Sequence, residues 1–402
     1  MSTGADAGTA GARFRITAVA DSDSYLKFAC ATLQGLGPEW ERRVLLVRSP
    51  LQPTHEQLAA ATAGTFQDGR AVPVVPAGTL RSVLAGSDVV LAAATGPVAE
   101  EVFGHAARLT PRPALVSALP GVAIPATGKA LAFRALGDAF ITHSYAECRA
   151  FSDLAEALQQ EPEQRILVSR LPFLKSNPRP EPVQAPLKTV VFAPQAKVPV
   201  EREDRVAILQ ALAALARRSG LTVRVKLRAW AGEPQTHREQ YPFDTLWNQL
   251  VEARAAAGHE LEFCTGSMAD QLAPGTAMVT VSSTAALEAV DAGLPVLILS
   301  DFGVSEEMLN KVFTGSGLLG TLDDLKAGRF FHPEPGWLRD NYFHQQDTPL
   351  GDLLALYARR ARAGKLVLSD ERLAANRRRR LRLRLRTLLP APALKLVLAL
   401  RR

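Results

Sequence analysis

Residues 277–299 read AMVTVSSTAALEAVDAGLPVLIL, and this stretch decides the fold. An apolar run over 277–282 ends in the small hydroxyl residues Ser282, Ser283 and Thr284. A helix is predicted over 284–292, Gly293 stops it, and a second apolar run follows over 295–299. Strands that read as continuous apolar runs are buried on both faces. A strand, a helix and another such strand within so short a span argue for a parallel sheet with helices packed on it.

The same alternation extends in both directions. In the first half, strands are expected over 15–20, 43–47, 72–75, 88–92, 114–117 and 139–142, with a helix over 25–35. The pattern restarts with a strand over 189–193, a helix over 202–218, and strands over 222–227 and 260–263; a late helix is expected over 353–362. Between the halves, 177–186 carries Pro178, Pro180, Pro182 and Pro186, which marks an extended linker. A chain of 402 residues is too long for one core. The expectation is two Rossmann-like, doubly wound α/β domains, 1–180 and 187–375, facing across a cleft, followed by a basic amphipathic tail over 376–402. Ligands in such sheets bind beyond the carboxyl ends of the strands, so functional residues should lie just after strands.

Composition excludes fibrous and disordered classes: 47% of residues are apolar and 22% charged. The formal charge of +7 misleads about the body of the protein. Residues 377–402 hold ten Lys or Arg and no acid, so the remainder carries −3. The three cysteines, Cys30, Cys148 and Cys264, are far apart and form no C-x-x-C pair, which suits reduced thiols in a cytoplasmic chain. The first twelve residues lack the basic start and apolar run of a signal peptide, and no stretch of about 18 apolar residues predicts a membrane span. The seven histidines are scattered without an H-x-x-x-H, so no metal site is expected.

The turn at 282–284 is the sharpest candidate for chemistry. The first amides of a helix lack internal partners and the helix dipole is positive there, so such a turn suits an anion. Small hydroxyl side chains permit close approach. Glu288, four residues after Thr284, shares its helix face and could accept from ribose hydroxyls. A plain helix cap by Ser283 is the alternative.

Residues 282–296 resemble the donor site of GT-B glycosyltransferases and of non-hydrolysing nucleotide-sugar 2-epimerases, and are also similar to capsule polymerases of the polysialyltransferase and glycerophosphotransferase kind. That resemblance implies that Ser282, Ser283 and Thr284 hold the donor's phosphates and that Glu288 binds its ribose. The whole chain resembles a group of actinobacterial glycosyltransferases of undefined substrate, through Asp21-Ser22-Asp23-Ser24-Tyr25-Leu26-Lys27, through Phe192-Ala193-Pro194-Gln195-Ala196-Lys197-Val198-Pro199, and through Lys226-Leu227-Arg228 with Gln235-Thr236-His237. The implied fold is GT-B. The implied activity is sugar transfer from a nucleotide-sugar donor to a glycan or lipid-linked acceptor, with no metal and no cofactor beyond the donor itself.

Gln195, Lys197, Lys226, Arg228 and His237 fall in loops after strands, where cations would stabilise a departing nucleoside phosphate. Related sugar-nucleotide enzymes carry a His-Pro pair where Arg228-Ala229 stands here. In the first half, Asp21 and Asp23 follow the first strand and His143 follows the strand over 139–142; each is a candidate general base. Capping by Asp21 or Ser22, or an Asp23–Lys27 ion pair at i,i+4, is the bland reading. Gly315-Ser316-Gly317-Leu318-Leu319-Gly320 spells G-x-G-x-x-G but follows a helical pattern over 306–313 and reads as a loop near the cleft. The arginines from Arg377 onward, set among leucines, suggest docking on an anionic membrane surface at the inner face of the plasma membrane. Nucleic acid is the lesser alternative. An epimerase, or a non-catalytic ligand-binding or scaffold protein, would share this fold.

Overall fold

The computed structural model describes residues 13–49, 52–158, 165–174, 180–233, 239–346 and 348–388. Among them are two parallel sheets. The first has seven strands: β1 (Phe14–Ala20), β2 (Trp40–Val47), β3 (Val74–Val75), β4 (Val89–Ala92), β5 (Ala114–Ala118), β6 (Ala139–Thr142) and β7 (Arg165–Val168). The second has six: β8 (Thr189–Phe192), β9 (Thr222–Lys226), β10 (Glu262–Cys264), β11 (Thr276–Thr280), β12 (Val296–Leu299) and β13 (Leu319–Gly320). Their orders are β3-β2-β1-β4-β5-β6-β7 and β10-β9-β8-β11-β12-β13. The α/β doubly wound expectation holds in both halves.

Each strand supplies two faces. Ile16, Ala18 and Ala20 of β1 face one core and Val19 the other. In β8, Val190 and Phe192 face one core and Val191 the other. This two-residue period is what makes a doubly covered strand apolar throughout. The helix Asp23–Gln34 covers β1 with Leu26, Phe28, Ala29, Cys30 and Leu33, all buried. Arg202–Ser219 does the same for the second sheet through Ile208, Leu209, Leu212 and Leu215. Full burial of each such side chain contributes roughly 1.5–3 kcal/mol.

Both sheets change winding direction beside their first strand, between β1 and β4 and between β8 and β11. The loops leaving those strand pairs diverge to opposite faces and open a crevice at each point.

Three expectations need correction. The helical pattern over 306–313 yields only a single tight turn, Lys311–Phe313. Asn310 bonds Gly303 O and the Ser305 amide instead, and Leu309 adopts a φ of 57°, so local side-chain bonds outcompete the helix. The G-x-G-x-x-G segment does not border the cleft; its last two residues form the edge strand β13. The segment after residue 349 does not stay with the second half. The helix Leu350–Arg362 packs Leu354, Tyr357, Ala358 and Ala361 into the core of the first sheet, beside Ile16, Leu91 and Val116. The helix Asp370–Leu388 then lies along Gly96–Ala106.

A buried carboxylate joins the halves. Glu147 accepts from the amides of Ala123 (2.8 Å) and His143 (2.7 Å) and from the hydroxyl of Tyr342 (2.7 Å), a residue of the second half.

Candidate functional site

A cavity of about 540 Å³ lies where the two crevices face each other. The first half contributes Ser22–Lys27 after β1, Thr95 and Gly96 after β4, and Pro120–Val122 after β5. The second contributes Gln195 after β8, Lys226 and Arg228 from β9, Thr265–Ser267 after β10, and Ser283, Thr284 and Glu288 after β11. These positions follow from topology: each is the first segment beyond a strand's carboxyl end.

The turn after β11 opens onto this cavity, but most of its amides are occupied. The Ser283 amide donates to Thr280 Oγ1 (3.1 Å), the Ala285 amide to Ser283 Oγ (3.2 Å) and the Ala286 amide to the Ser283 carbonyl (3.0 Å). Ser283 is thus the cap that the bland reading foresaw, while it also lines the cavity. Ser282 is buried off the cavity wall; its hydroxyl lacks a partner and its carbonyl accepts from Gln195 Nε2 (2.9 Å). With those amides engaged, the positive charge on the cavity wall comes from Lys27, Lys226 and Arg228.

Those cations cross the cleft. Arg228 grips both carboxylate oxygens of Asp23 (2.7 and 2.8 Å) and the hydroxyl of Ser24. Lys27 pairs with Glu288 at 2.7 Å and lies over the Phe173 ring. The i,i+4 pair expected between Asp23 and Lys27 is therefore replaced by two pairs, each joining the halves. Lys226 lines the same cavity, within electrostatic reach of Lys27, Glu288 and Arg228. Burial holds its ammonium below the ordinary lysine range, and the charges of Lys27 and Arg228 add to the depression while Cys264 and Glu288 oppose it.

The remaining candidates fall elsewhere. Asp21 does not reach the cavity: it is buried and accepts from the amide (3.1 Å) and hydroxyl of Thr95, bracing the loop after β4. Burial raises its carboxyl above the usual range despite those bonds. His143 is also buried, with Nδ1 2.9 Å from Ser169 O and Nε2 2.8 Å from Leu119 O, so both ring nitrogens are engaged with main chain. Neither lines the cavity. Lys197 is exposed and off the cavity. His237, with Gln235 and Thr236, lies outside the described residues. The sequence reading missed Lys27 as a cleft cation and missed Gly121. A side-chain Cβ at Gly121 would meet Thr284 Oγ1 at 2.6 Å, so a side chain there requires Thr284 to shift.

Two facing doubly wound sheets with a charged cavity between their switch points define a double-Rossmann architecture of the kind used by nucleotide-sugar enzymes. The fold is similar to that of the S. aureus MnaA–UDP co-structure (TM-score 0.54, 12% identity, 82% of this chain and 90% of that one). It is also similar to UDP-GlcNAc 2-epimerase from Neisseria meningitidis bound to UDP-GlcNAc (TM-score 0.51, 10% identity, 86% and 99%). The chain belongs to the family described as "Putative glycosyltransferase (DUF6716)", which it matches over residues 16–355. No curated protein matches it in sequence.

Proposed function

We propose that this protein transfers a sugar from a nucleotide-sugar donor to a hydroxyl of a glycan or lipid-linked acceptor, without a metal ion. The observation that carries the reading is the convergence of Lys27, Lys226 and Arg228 on one cavity, where Asp23 and Glu288 pair with two of them and Glu56, Glu233 and Glu239 also line the wall. Such a partly desolvated cationic cluster favours an anion of the charge a nucleoside diphosphate carries. In this reading Lys226, Arg228 and the hydroxyls of Ser283 and Thr284 meet the phosphates, Glu288 accepts from the ribose, and Gln195 fixes the turn through the Ser282 carbonyl. Asp23, the first-half carboxylate nearest these cations, takes the acceptor's proton. The acceptor oxygen then bonds to the sugar's anomeric carbon as the bond to the phosphate oxygen breaks, and the nucleoside diphosphate leaves with the electron pair.

The S. aureus MnaA structure holds UDP and the Neisseria meningitidis epimerase structure holds UDP-GlcNAc, which supports a uridine donor as the first to try. A lipid-linked acceptor is supported by the position of the basic helix Asp370–Leu388, which packs on the acceptor-side helix Gly96–Ala106 and leaves Arg377 and Arg378 exposed.

The test is a thermal-shift panel of UDP-, GDP-, CMP- and dTDP-sugars. Ligand at a hundredfold excess over Kd should stabilise the native state by about 2.7 kcal/mol. Lys226→Met should abolish the shift, and Glu288→Ala should reduce it. Turnover with the binding donor should persist in EDTA. A shift retained in Lys226→Met would overturn the site; isomerised donor formed without acceptor would favour epimerisation.

A further inference from the structure

The two ion pairs that span the cleft each join a first-half side chain to a residue of the donor-side wall. Arg228 to Asp23 and Lys27 to Glu288 are separated by 205 and 261 positions in the chain, so neither pair is a product of local sequence. Arg228 is held on three sides, by both Asp23 oxygens and by Ser24. Asp23 and Glu288 are largely buried, with 21% and 16% of their side chains exposed, so each has lost most of its water and depends on its partner cation. A phosphate entering the cavity, with more charge and more acceptor oxygens than a carboxylate, competes for the same cations.

We propose that these pairs are latches that the donor's phosphates open, and that opening them arms the site. The proposal rests on the nucleotide-sugar reading given above and adds an order of events to it. Phosphate oxygens take Arg228 and Lys27 in place of the two carboxylates. Asp23, released, becomes free to accept a hydroxyl proton; Glu288, released, becomes free to accept from ribose. Before donor binding, Asp23 is an ion-pair partner and not a base, so an acceptor arriving first meets an inactive carboxylate. Donor binding therefore precedes productive acceptor binding, and water entering an empty cleft finds no activated base. Lys27, which the sequence did not single out as a ligand, is thereby assigned as a phosphate ligand contributed by the acceptor-side half.

The experiment is calorimetric titration of the full chain with inorganic pyrophosphate and with UDP, in the wild type and in Asp23→Asn, Glu288→Gln, Arg228→Met and Glu56→Gln. Glu56 lines the same cavity without an ion pair among the described residues, so it controls for mere loss of negative charge. Asp23→Asn should bind pyrophosphate about threefold or more tightly than wild type, because the cation no longer has to leave a carboxylate. Glu288→Gln should tighten pyrophosphate but weaken UDP, since only UDP carries the ribose that Glu288 serves. Arg228→Met should weaken both ligands, and Glu56→Gln should leave both within about twofold. The latch is overturned if Asp23→Asn binds pyrophosphate no better than wild type. It is equally overturned if Glu56→Gln tightens binding as much, or if neither wild type nor Asp23→Asn binds pyrophosphate. The donor reading fails separately, if no nucleotide sugar shifts the unfolding temperature of the wild type.

Discussion

Gly121 shows how one missing methyl group leaves room for a side chain from across the cleft. Replacing it with alanine pushes a Cβ against Thr284 Oγ1, which must move or separate the halves. Gly121→Ala is expected to weaken nucleotide binding about tenfold, the equivalent of about 1.4 kcal/mol, and Gly121→Ala/Thr284→Ala should recover part of that loss because the clashing hydroxyl is gone. Titration of the two variants with UDP checks this, and equal affinity in the single variant and wild type would refute it. The site's residues were unevenly legible at this scale. Ser283, Thr284, Glu288, Lys226 and Arg228 could be placed because they follow strands at the sheet edge. Asp21 and Asp23 are two positions apart and indistinguishable in sequence, yet one turns inward to brace Thr95 and the other turns across the cleft to Arg228. The direction of a side chain at a strand end depends on the loop it meets, and that loop, after β4, is over seventy residues away.

At the scale of elements, the halves are joined through the helix Tyr145–Ala157, which carries Glu147. Its carboxylate takes two amides of the first half and the Tyr342 hydroxyl of the second. Tyr342 is fully buried, and burial raises its phenol well above the usual range, with Glu147's charge adding to the effect. Tyr342→Phe keeps the packing and removes one hydrogen bond to a charged group, so it should destabilise the fold by about 1.5–3 kcal/mol. Urea unfolding measures this; a change below about 0.5 kcal/mol would mean the bond does little to hold the halves together. The turn after β11 carries a second lesson. Its sequence announces a helix start after a strand, and that is what forms. Whether its amides are free is decided by Thr280, Ser283 and their geometry, which the pattern does not reveal.

Across the whole molecule, the chain crosses from the second half back to the first, and its basic helix docks there. Asn376 and Arg379 reach Glu100 at 3.3 and 3.2 Å, and Arg380 reaches Glu101 at 2.5 Å, alongside Gly104 where any side chain would collide with its guanidinium. Two of the arginines expected to face a membrane are thus committed to the protein. Glu101 is held down to about 2 from the usual 4.5, first by its hydrogen bond to His105 and then by Arg380. A carboxyl with a depressed folded pKa stabilises above its unfolded value and loses that contribution as pH falls toward its folded one. Acidification from about 4.5 to about 2 should therefore cost about 1–3 kcal/mol here and loosen the helix Asp370–Leu388. Glu100, raised by burial, acts in the opposite sense and at higher pH. Hydrogen exchange of that helix against pH is the measurement, and Glu101→Gln should remove the acid-side component. Among the described residues no helix is long and apolar enough to cross a membrane. The sequence alone determined the alternation of strands and helices, the two-sheet architecture and the loops that carry charge, because burial period and turn chemistry are local properties written in neighbouring residues. Only the tertiary structure decided which charges meet, that Asp21 and His143 are braces, and that the last helices return to the first sheet. Those outcomes depend on contacts between segments from about two dozen to more than two hundred residues apart, whose free energies no local pattern encodes.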